Sequence, residues 1–318
     1  MSAAPPHIFT LTGNLLAERT LTFARWTAGA TQRATAESFQ VGGKGINVAK
    51  MLTRLGDPNT ALCFLGGPTG LECESWLRDR GFSFQAFSTS TPTRTGLVVR
   101  TADQAETTFL GVDAAPDPAA LLTCANALDA LPAGSVLTLS GSLPGWTTPD
   151  YDPLRAALHR WLERGPLVVD TYGPPLNWFA RERCTLVRLN RTELLTLFPG
   201  SSHANTDALL LRARERFGAR RWVVSDGAAP VWFLDETGAP DSIPTPTIRE
   251  VSPTGSGDVM LAAILHAHLR LGQSWRDAVA WAVPLAAANA AHPGIAEFPL
   301  EIILAMSFAK PLSPRFYS

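Results

Sequence analysis

Lysine is scarce in this sequence: Lys44, Lys50 and Lys310 are the only lysines among 318 residues, so arginine supplies most of the positive charge. The formal net charge is −1. Because the charges nearly cancel, no overall field favours binding to nucleic acid or to an anionic membrane, and an anionic ligand must be held by a local site. We therefore predict neither a nucleic-acid partner nor a membrane partner.

Cysteine is also rare, and the four cysteines form no Cys-x-x-Cys pair: Cys63, Cys73, Cys124 and Cys184. This spacing argues against a zinc ribbon or a dithiol redox motif and favours reduced thiols in a cytoplasmic protein. The chain does not open on a basic segment followed by an apolar run, so we expect no signal peptide. No apolar run reaches the ~18 residues that a membrane-spanning helix needs.

Apolar residues make up 46% of the chain and charged residues 17%, a composition typical of a packed globular protein. After Pro116, short apolar strands alternate with segments of helical spacing, which predicts a mostly parallel sheet covered by helices on both faces. We expect one doubly wound α/β domain over residues 1–318. Segments 8–41 and 94–110 read as short strands and are expected to form a small β-sheet that acts as a lid over the carboxyl edge of the large sheet, where such folds bind ligands.

The segment 252–258 reads Ser-Pro-Thr-Gly-Ser-Gly-Asp and leads directly into an apolar helix. Gly255, Ser256 and Gly257 allow backbone N–H groups to approach an anion closely, and the helix dipole adds partial positive charge there. Asp258, at the start of the helix, is suited to take a proton from a hydroxyl nucleophile. These are the parts that phosphoryl transfer needs. The structural alternative is an ordinary turn that caps a helix.

A second glycine cluster, Val41–Ala49, reads Val-Gly-Gly-Lys-Gly-Ile-Asn-Val-Ala. It is not a P-loop, because Lys44 is followed by glycine, and it is not a dinucleotide fingerprint. Glycines at a helix start, with Lys44 and Asn47 about one turn apart, suit close contact with a polar ligand such as a sugar. The alternative is a tight strand-to-helix turn without a ligand.

With both segments in this order, the chain resembles the ribokinase-like (PfkB) family of carbohydrate kinases, and within it the 1-phosphofructokinase and tagatose-6-phosphate kinase branch. The first family signature is present from Gly42 to Ala49 and the second from Gly255 to Asp258. Further matches in the same order are Ser140–Pro144, Asp170–Gly173, Arg188–Glu193 and Ser225–Gly227.

The resemblance implies a role for each matching residue. Asp258 would be the catalytic base, and Gly255, Ser256 and Gly257 would form an anion hole. The implied substrate-binding residues are Glu18, Gly42, Gly43, Lys44, Asn47 and Arg94. The implied nucleotide-binding residues are Asn190, Ser225, Gly227 and Thr254. Glu193 would help to hold Mg²⁺ through water, and ATP would be the co-substrate. The resemblance also implies a homodimer that forms through the lid.

Three of the departures from the family pattern affect positions expected to contact the substrate. Glu18 replaces an aspartate that contacts the sugar, and Gly96 and Val98 replace an Asn-x-Lys pattern beside the substrate phosphate. We expect phosphorylation of a ketohexose phosphate, with fructose 1-phosphate as the first choice and tagatose 6-phosphate as the second. The alternative of another class is a catalytically weak sugar-binding sensor, which the three departures motivate.

Overall fold

The computed structural model describes residues 5–101 and 106–300. The hairpin turn expected at residues 102–105 and the end of the expected single domain, residues 301–318, lie outside the described residues. All four cysteines are buried and free, in agreement with the prediction of reduced thiols. None of the described helices is long and apolar enough to cross a bilayer.

The strands of the described residues form two sheets. The large sheet contains β1 (Ile8–Thr12), β4 (Asn59–Leu65), β5 (Phe84–Ser88), β8 (Val136–Ser140), β9 (Leu167–Asp170), β10 (Leu186–Asn190), β11 (Trp222–Asp226), β12 (Ala229–Leu234) and β13 (Asp241–Ile243). The small sheet contains β2 (Leu16–Thr22), β3 (Ala36–Gly42), β6 (Arg94–Arg100) and β7 (Thr107–Leu110). The helices are α1 (Lys44–Leu55), α2 (Gly67–Asp79), α3 (Pro118–Asp129), α4 (Asp152–Arg164), α5 (Pro174–Arg181), α6 (Arg191–Thr196), α7 (Thr206–Arg216), α8 (Ser256–Leu269) and α9 (Trp275–Ala290).

The large sheet has the strand order β13-β12-β11-β10-β9-β8-β1-β4-β5. All neighbouring strands from β11 to β5 are parallel, whereas β12 and β13 join antiparallel at one edge. Helices cover both faces, so the predicted doubly wound, mostly parallel α/β fold is confirmed. The strands of a parallel sheet are buried on both sides, because the helices that connect them pack against both faces.

Two apolar clusters sandwich the large sheet. Leu137, Val169 and their neighbours pack against α3–α7, while Val136, Val168 and their neighbours pack against α1, α8 and α9. Adjacent residues of one strand thus serve opposite faces, as the two-residue period of a strand requires. The fully apolar strands expected from the sequence are buried on both sides for this reason.

The small sheet lies beside the carboxyl edge of the large one, but its predicted extent of 8–41 is wrong at its start. Ile8–Thr12 is a central strand of the large sheet, paired in parallel with β4 and β8. Four of its five residues are buried, which a strand with one open face would not allow. The small sheet begins with β2, has the order β3-β2-β6-β7, and includes the predicted 94–110 segment as β6 and β7.

Candidate active site

The turn at the start of α8 depends on Gly255. This residue caps the helix with φ of +76°, and a Cβ atom there would lie 2.3 Å from Cγ2 of Ile295. Both constraints favour glycine. The first α-helical hydrogen bond runs from the Val259 amide to the Gly255 carbonyl. The amides of Gly257 and Asp258 precede it, so they have no acceptor inside the helix and can bind an anion.

The carboxyl group of Asp258 is nearly buried, with 4% of the residue exposed. Asn47, on α1, donates a hydrogen bond of 2.7 Å from Nδ2 to Oδ2 of Asp258. Burial, and next the negative charge of Asp170, raises the pKa of Asp258 to about 7, although Lys44 and Arg188 oppose the shift. A carboxyl group with a pKa near neutrality is well matched to the exchange of protons as a general base.

Asp170 organises the cations beside the turn. It ends β9 with no exposed surface, accepts 2.6 Å from Nζ of Lys44, and accepts 3.0 Å from Nη1 of Arg188. Burial alone would raise the pKa of Asp170, but the two cations hold it below its usual range. Burial also disfavours the charged form of Lys44, yet attraction to Asp170 and Glu193 raises its pKa. Asp170 and Lys44 therefore remain charged, and Asp170 holds Lys44 and Arg188 in place beside the turn.

A cavity of about 360 Å³, here called the lid cavity, lies between the small sheet and the carboxyl edge of the large sheet. All six predicted substrate-binding residues line it: Glu18, Gly42, Gly43, Lys44, Asn47 and Arg94. Thr254, Gly255, Gly257 and Asp258 line it as well. The two glycine segments, more than 200 residues apart in the sequence, thus meet around one space.

Arg94 is paired with a carboxylate that no motif singled out. Its Nη1 donates 2.9 Å to Oδ1 of Asp113, and Nδ2 of Asn14 donates 2.8 Å to the same oxygen. Asn14 also donates 2.9 Å to Oγ of Ser142. The Arg94 side chain is 11% exposed, and its Nε has no partner in the described part of the chain. The positive charge expected to meet a substrate phosphate is therefore already neutralised.

Glu18 lies on β2 with its carboxyl group inside the lid cavity. Gln40, directly opposite on β3, donates from Nε2 to Oε1 of Glu18. Burial, and to a lesser degree the neighbouring Glu106, raises the pKa of Glu18, while the hydrogen bond from Gln40 lowers it. A buried carboxylate of this kind can accept hydrogen bonds from sugar hydroxyl groups.

A second cavity of about 450 Å³, here called the helix cavity, lies against α8 and α9. The predicted nucleotide-binding residues Asn190, Ser225 and Gly227 line it, together with Ser256. Its apolar wall includes Met260, Val283, Ala286 and Ala287. An apolar wall beside a few polar groups suits a nucleobase. Thr254, also predicted to bind the nucleotide, lines the lid cavity instead, because the turn carries it to the other side.

Arg188 and Gly257 line both cavities. A Cβ atom at Gly257 would lie 2.0 Å from Nη1 of Arg188, so glycine is needed for the guanidinium to rest against the turn. Nη2 of Arg188 also donates 2.7 Å to Oγ of Ser225. The two cavities therefore meet at the amide-rich start of α8, beside a fixed cation.

Glu193 and Asn190 form a capping box at the start of α6. Oδ1 of Asn190 accepts from the Glu193 amide, and Oε2 of Glu193 accepts from the Asn190 amide, both at 2.8 Å. Oε1 of Glu193 stays outside the box, 3.7 Å from Nζ of Lys44. Glu193 lines neither cavity, and the described residues contain no group of three or more His, Cys, Asp or Glu side chains that could hold a metal ion. One available carboxylate oxygen fits Mg²⁺ held mainly by phosphates and water.

Asn289 supports the turn from behind, and no motif pointed to it. Its Nδ2 donates to the Thr254 carbonyl at 3.0 Å and to Oγ of Ser256 at 3.1 Å, while its Oδ1 accepts from the Ala296 amide at 2.8 Å. Only 1% of the residue is exposed. In the sequence, Asn289 could have been noticed as the single amide side chain in the otherwise apolar second half of α9.

Residues 14–302 match the model of the pfkB family carbohydrate kinases. The chain belongs to this family. The resemblance drawn from the motifs is thereby confirmed, and the protein is an ATP-dependent sugar kinase by family membership.

Relatives and solved structures agree with this assignment. The pfkB kinase is 27% identical to a 1-phosphofructokinase of Borreliella burgdorferi over 92% of this chain and 94% of the relative. It is 31% identical to a 1-phosphofructokinase of Xanthomonas campestris pv. campestris over 82% of this chain and 83% of the relative. The tetrameric inhibited form of phosphofructokinase-2 from Escherichia coli superposes with a TM-score of 0.81 at 25% identity, covering 90% of this chain and 94% of that one.

Proposed function

We propose that this kinase transfers the γ-phosphoryl group of ATP to a hydroxyl group of a ketohexose phosphate. One observation carries the proposal: the carboxyl group of Asp258 and the amide-rich turn 255–257 lie where the lid cavity and the helix cavity meet. A phosphate chain in the helix cavity and a sugar in the lid cavity would approach each other at this point. Phosphoryl transfer needs in-line positioning and charge stabilisation there.

Asp258 acts in this proposal as the general base. The acceptor hydroxyl group donates a hydrogen bond to its carboxylate and loses the proton as the new O–P bond forms. Asn47 holds one carboxylate oxygen and leaves the other for the acceptor. The amides of Gly257 and Asp258, with Ser256 and the Arg188 guanidinium, stabilise negative charge on the transferred group.

ATP occupies the helix cavity, with its base against the apolar wall and its phosphates toward the turn. Ser225, Gly227 and the side-chain Nδ2 of Asn190, which the capping box does not use, position the nucleotide, while Thr254 lies on the acceptor side. When bound, Mg²⁺ would neutralise phosphate charge, and Glu193 would hold it through water from Oε1. This arrangement is consistent with the capping box, which occupies the other oxygen.

Fructose 1-phosphate is the first-choice acceptor, and its product would be fructose 1,6-bisphosphate. The relatives named 1-phosphofructokinase support this choice. Glu18, Gly42, Gly43 and Asn47 read the sugar hydroxyl groups, and Arg94 faces the sugar's own phosphate. Tagatose 6-phosphate is the second choice, since the longer Glu18 side chain shifts the position of the carboxylate relative to an aspartate.

A coupled assay of ADP release tests the proposal over a panel of ketohexose phosphates, free sugars and nucleosides with Mg·ATP. Turnover is expected with a ketohexose phosphate. If no acceptor is phosphorylated, the kinase proposal fails and the sugar-binding sensor gains support. The buried base at the junction of the cavities argues against the sensor, because binding alone has no need of it.

We further propose that the kinase is a cytoplasmic homodimer that pairs through the small sheet. Phe109, Leu110 and Val112 are 50%, 57% and 91% exposed on or beside the edge strand β7. Exposed apolar groups on an edge strand favour pairing with a second copy. Light scattering should give twice the chain mass of 34.1 kDa, and Phe109→Glu should shift it toward the monomer.

A further inference from the structure

The cations that line the lid cavity are all paired. Among the described residues four cationic side chains line it, namely Lys44, Arg94, Arg100 and Arg188. Asp170 pairs with Lys44 and Arg188, Asp113 with Arg94, and Glu106 with Arg100. The carboxyl groups of Glu18 and Asp258 add further negative charge to the wall. The part of the cavity wall that residues 5–101 and 106–300 form thus holds no surplus of positive charge for the phosphate of an acceptor.

The three pairing carboxylates differ in how easily they can leave. The side chain of Asp170 has no exposed surface and that of Glu106 is 15% exposed, whereas that of Asp113 is 59% exposed. A buried carboxylate released from its cation would remain without compensation, but an exposed one can return to water. Asp113 is therefore the partner that an incoming anion can displace.

Arg94 is prepared to accept such an anion. Its side chain lies on the cavity wall with 11% exposure. Its Nη1 is engaged by Asp113, its Nη2 is 3.5 Å from the Asn14 carbonyl, and its Nε has no partner among the described residues. A guanidinium with unused donors binds a phosphate well once the competing carboxylate has moved away.

We propose that Asp113 determines the charge preference of the acceptor site by occupying Arg94 in place of the acceptor's phosphate. An acceptor whose phosphate lies beside Arg94 binds only by displacing the carboxylate of Asp113, whereas a neutral sugar leaves the ion pair between Arg94 and Asp113 intact. Asp113 therefore weakens the selectivity for phosphorylated acceptors over free sugars. The inference rests on the proposed function and specifies its substrate class.

The variant Asp113→Asn tests the inference, because asparagine keeps an oxygen for Arg94 and Asn14 but loses the charge. The ratio of kcat/KM for fructose 1-phosphate to kcat/KM for fructose should rise about three- to tenfold, mainly through KM of the phosphate. Added salt should reduce the difference between variant and parent, since screening weakens charge interactions. The control Asp150→Asn removes an exposed charge that lines neither cavity, and its ratio should match the parent's.

A second pair of variants tests the route through Arg94. In an Arg94→Gln background, Asp113→Asn should leave the ratio unchanged, because the competition no longer exists. An unchanged ratio in Asp113→Asn alone, or an equal rise in Asp150→Asn, would overturn the inference.

Failure of the proposed function is recognised separately, as a parent enzyme that phosphorylates no sugar. In that case calorimetry with fructose 1-phosphate decides the inference. Tighter binding to Asp113→Asn than to the parent supports it, and equal binding overturns it.

Discussion

The carboxyl group of Asp258 is buried, which disfavours its ionised form, and it lies beside the junction of the two cavities, where a base is needed. The variant Asp258→Asn keeps the shape and the contact with Asn47 but cannot take a proton. Turnover should fall by about 10²–10⁴, the usual contribution of a general base. Nucleotide binding, measured by calorimetry, should change little, because the helix cavity is not altered.

Thermal unfolding at pH 8 separates this loss from misfolding. The folded-state pKa of Asp258 lies above its unfolded value, so the free energy of unfolding falls as pH rises from the unfolded pKa to about 7, and the full loss is present at pH 8. Asp258→Asn removes that charge and should unfold at a higher temperature than the parent. Turnover comparable to the parent's would exclude Asp258 as the base.

The raised pKa of Asp258 also predicts the pH dependence of catalysis. The base must be deprotonated, so kcat/KM should fall as pH drops below about 7. In Asp170→Asn the acidic limb should move to lower pH, because a negative neighbour is lost while Lys44 and Arg188, now less neutralised, favour the carboxylate. The hydrogen bond from Asn47 lowers the pKa of Asp258 in the parent and in Asp170→Asn alike, so it does not account for the difference between them.

A buried carboxylate beside the far end of α8 provides the control for Asp170→Asn. Asp57, which follows α1, accepts a hydrogen bond of 2.8 Å from Nδ1 of His266. His266 lies on α8, eight residues after Asp258. Asp57→Asn should reduce stability and leave the acidic limb in place. If the limb of Asp170→Asn stays with the parent's or moves to higher pH, Asp170 does not tune the base.

Individual site residues differed in how well the sequence could predict them. Asp258 and the glycines before it are neighbours in the chain, so a local motif contains both the anion site and the base. Lys44 and Asp170 are 126 positions apart, and no local pattern indicates that a strand-ending aspartate will neutralise a lysine. Asp113 was missed for the same reason, because its contact with Arg94 depends on how the segment after β7 folds against the start of β6.

The start of α8 is an element whose geometry depends on one glycine. In Gly255→Ala, a Cβ atom would clash with Ile295 and an alanine would be held at a positive φ. We expect a loss of roughly 2–5 kcal/mol in the free energy of unfolding, and turnover well below the parent's because the amides move. Chemical denaturation and the ADP-release assay measure the two effects.

Gly272 offers a matched control at the other end of the same helix. Its φ is +68°, but nothing lies within 4 Å of the position that a Cβ atom would take. Gly272→Ala should therefore cost about 1–2 kcal/mol from backbone strain alone and leave turnover unchanged. Equal effects of the two substitutions would mean that the contact with Ile295 does not shape the turn.

The elements were easiest to predict where the strands are buried on both faces. The apolar runs at β8, β9 and β10 stand out because parallel strands between helix layers contain few polar residues. Ile8–Thr12 was assigned to the wrong sheet because its alternating threonines resemble those of β2. Those threonines are buried in the large sheet, with Thr10 and Thr12 lacking hydrogen-bond partners for their hydroxyl groups in the described residues. A polar strand in a sheet centre contradicts the usual pattern.

The molecule as a whole joins its small sheet to the active-site loops through charged groups. Arg100, at the end of β6, donates 2.6 Å to the Pro293 carbonyl and 2.6 Å to Oε2 of Glu106. Ser252, just before the turn, donates to Oε1 of Glu106 at 3.4 Å. Arg100 and Glu106 therefore link the small sheet to the residue before the turn and to the segment after α9.

Arg100→Ala should loosen this link and admit water to the lid cavity. KM for the acceptor should rise about tenfold, and part of the ATP should be hydrolysed without phosphorylating the sugar, because a closed lid normally excludes water. Parallel measurement of ADP and of sugar product gives the coupling ratio. The control Arg78→Ala removes an exposed arginine that pairs with Glu74 on α2, and it should keep one product per ADP. If Arg100→Ala also keeps one product per ADP and an unchanged KM, the contacts of Arg100 do not hold the lid closed.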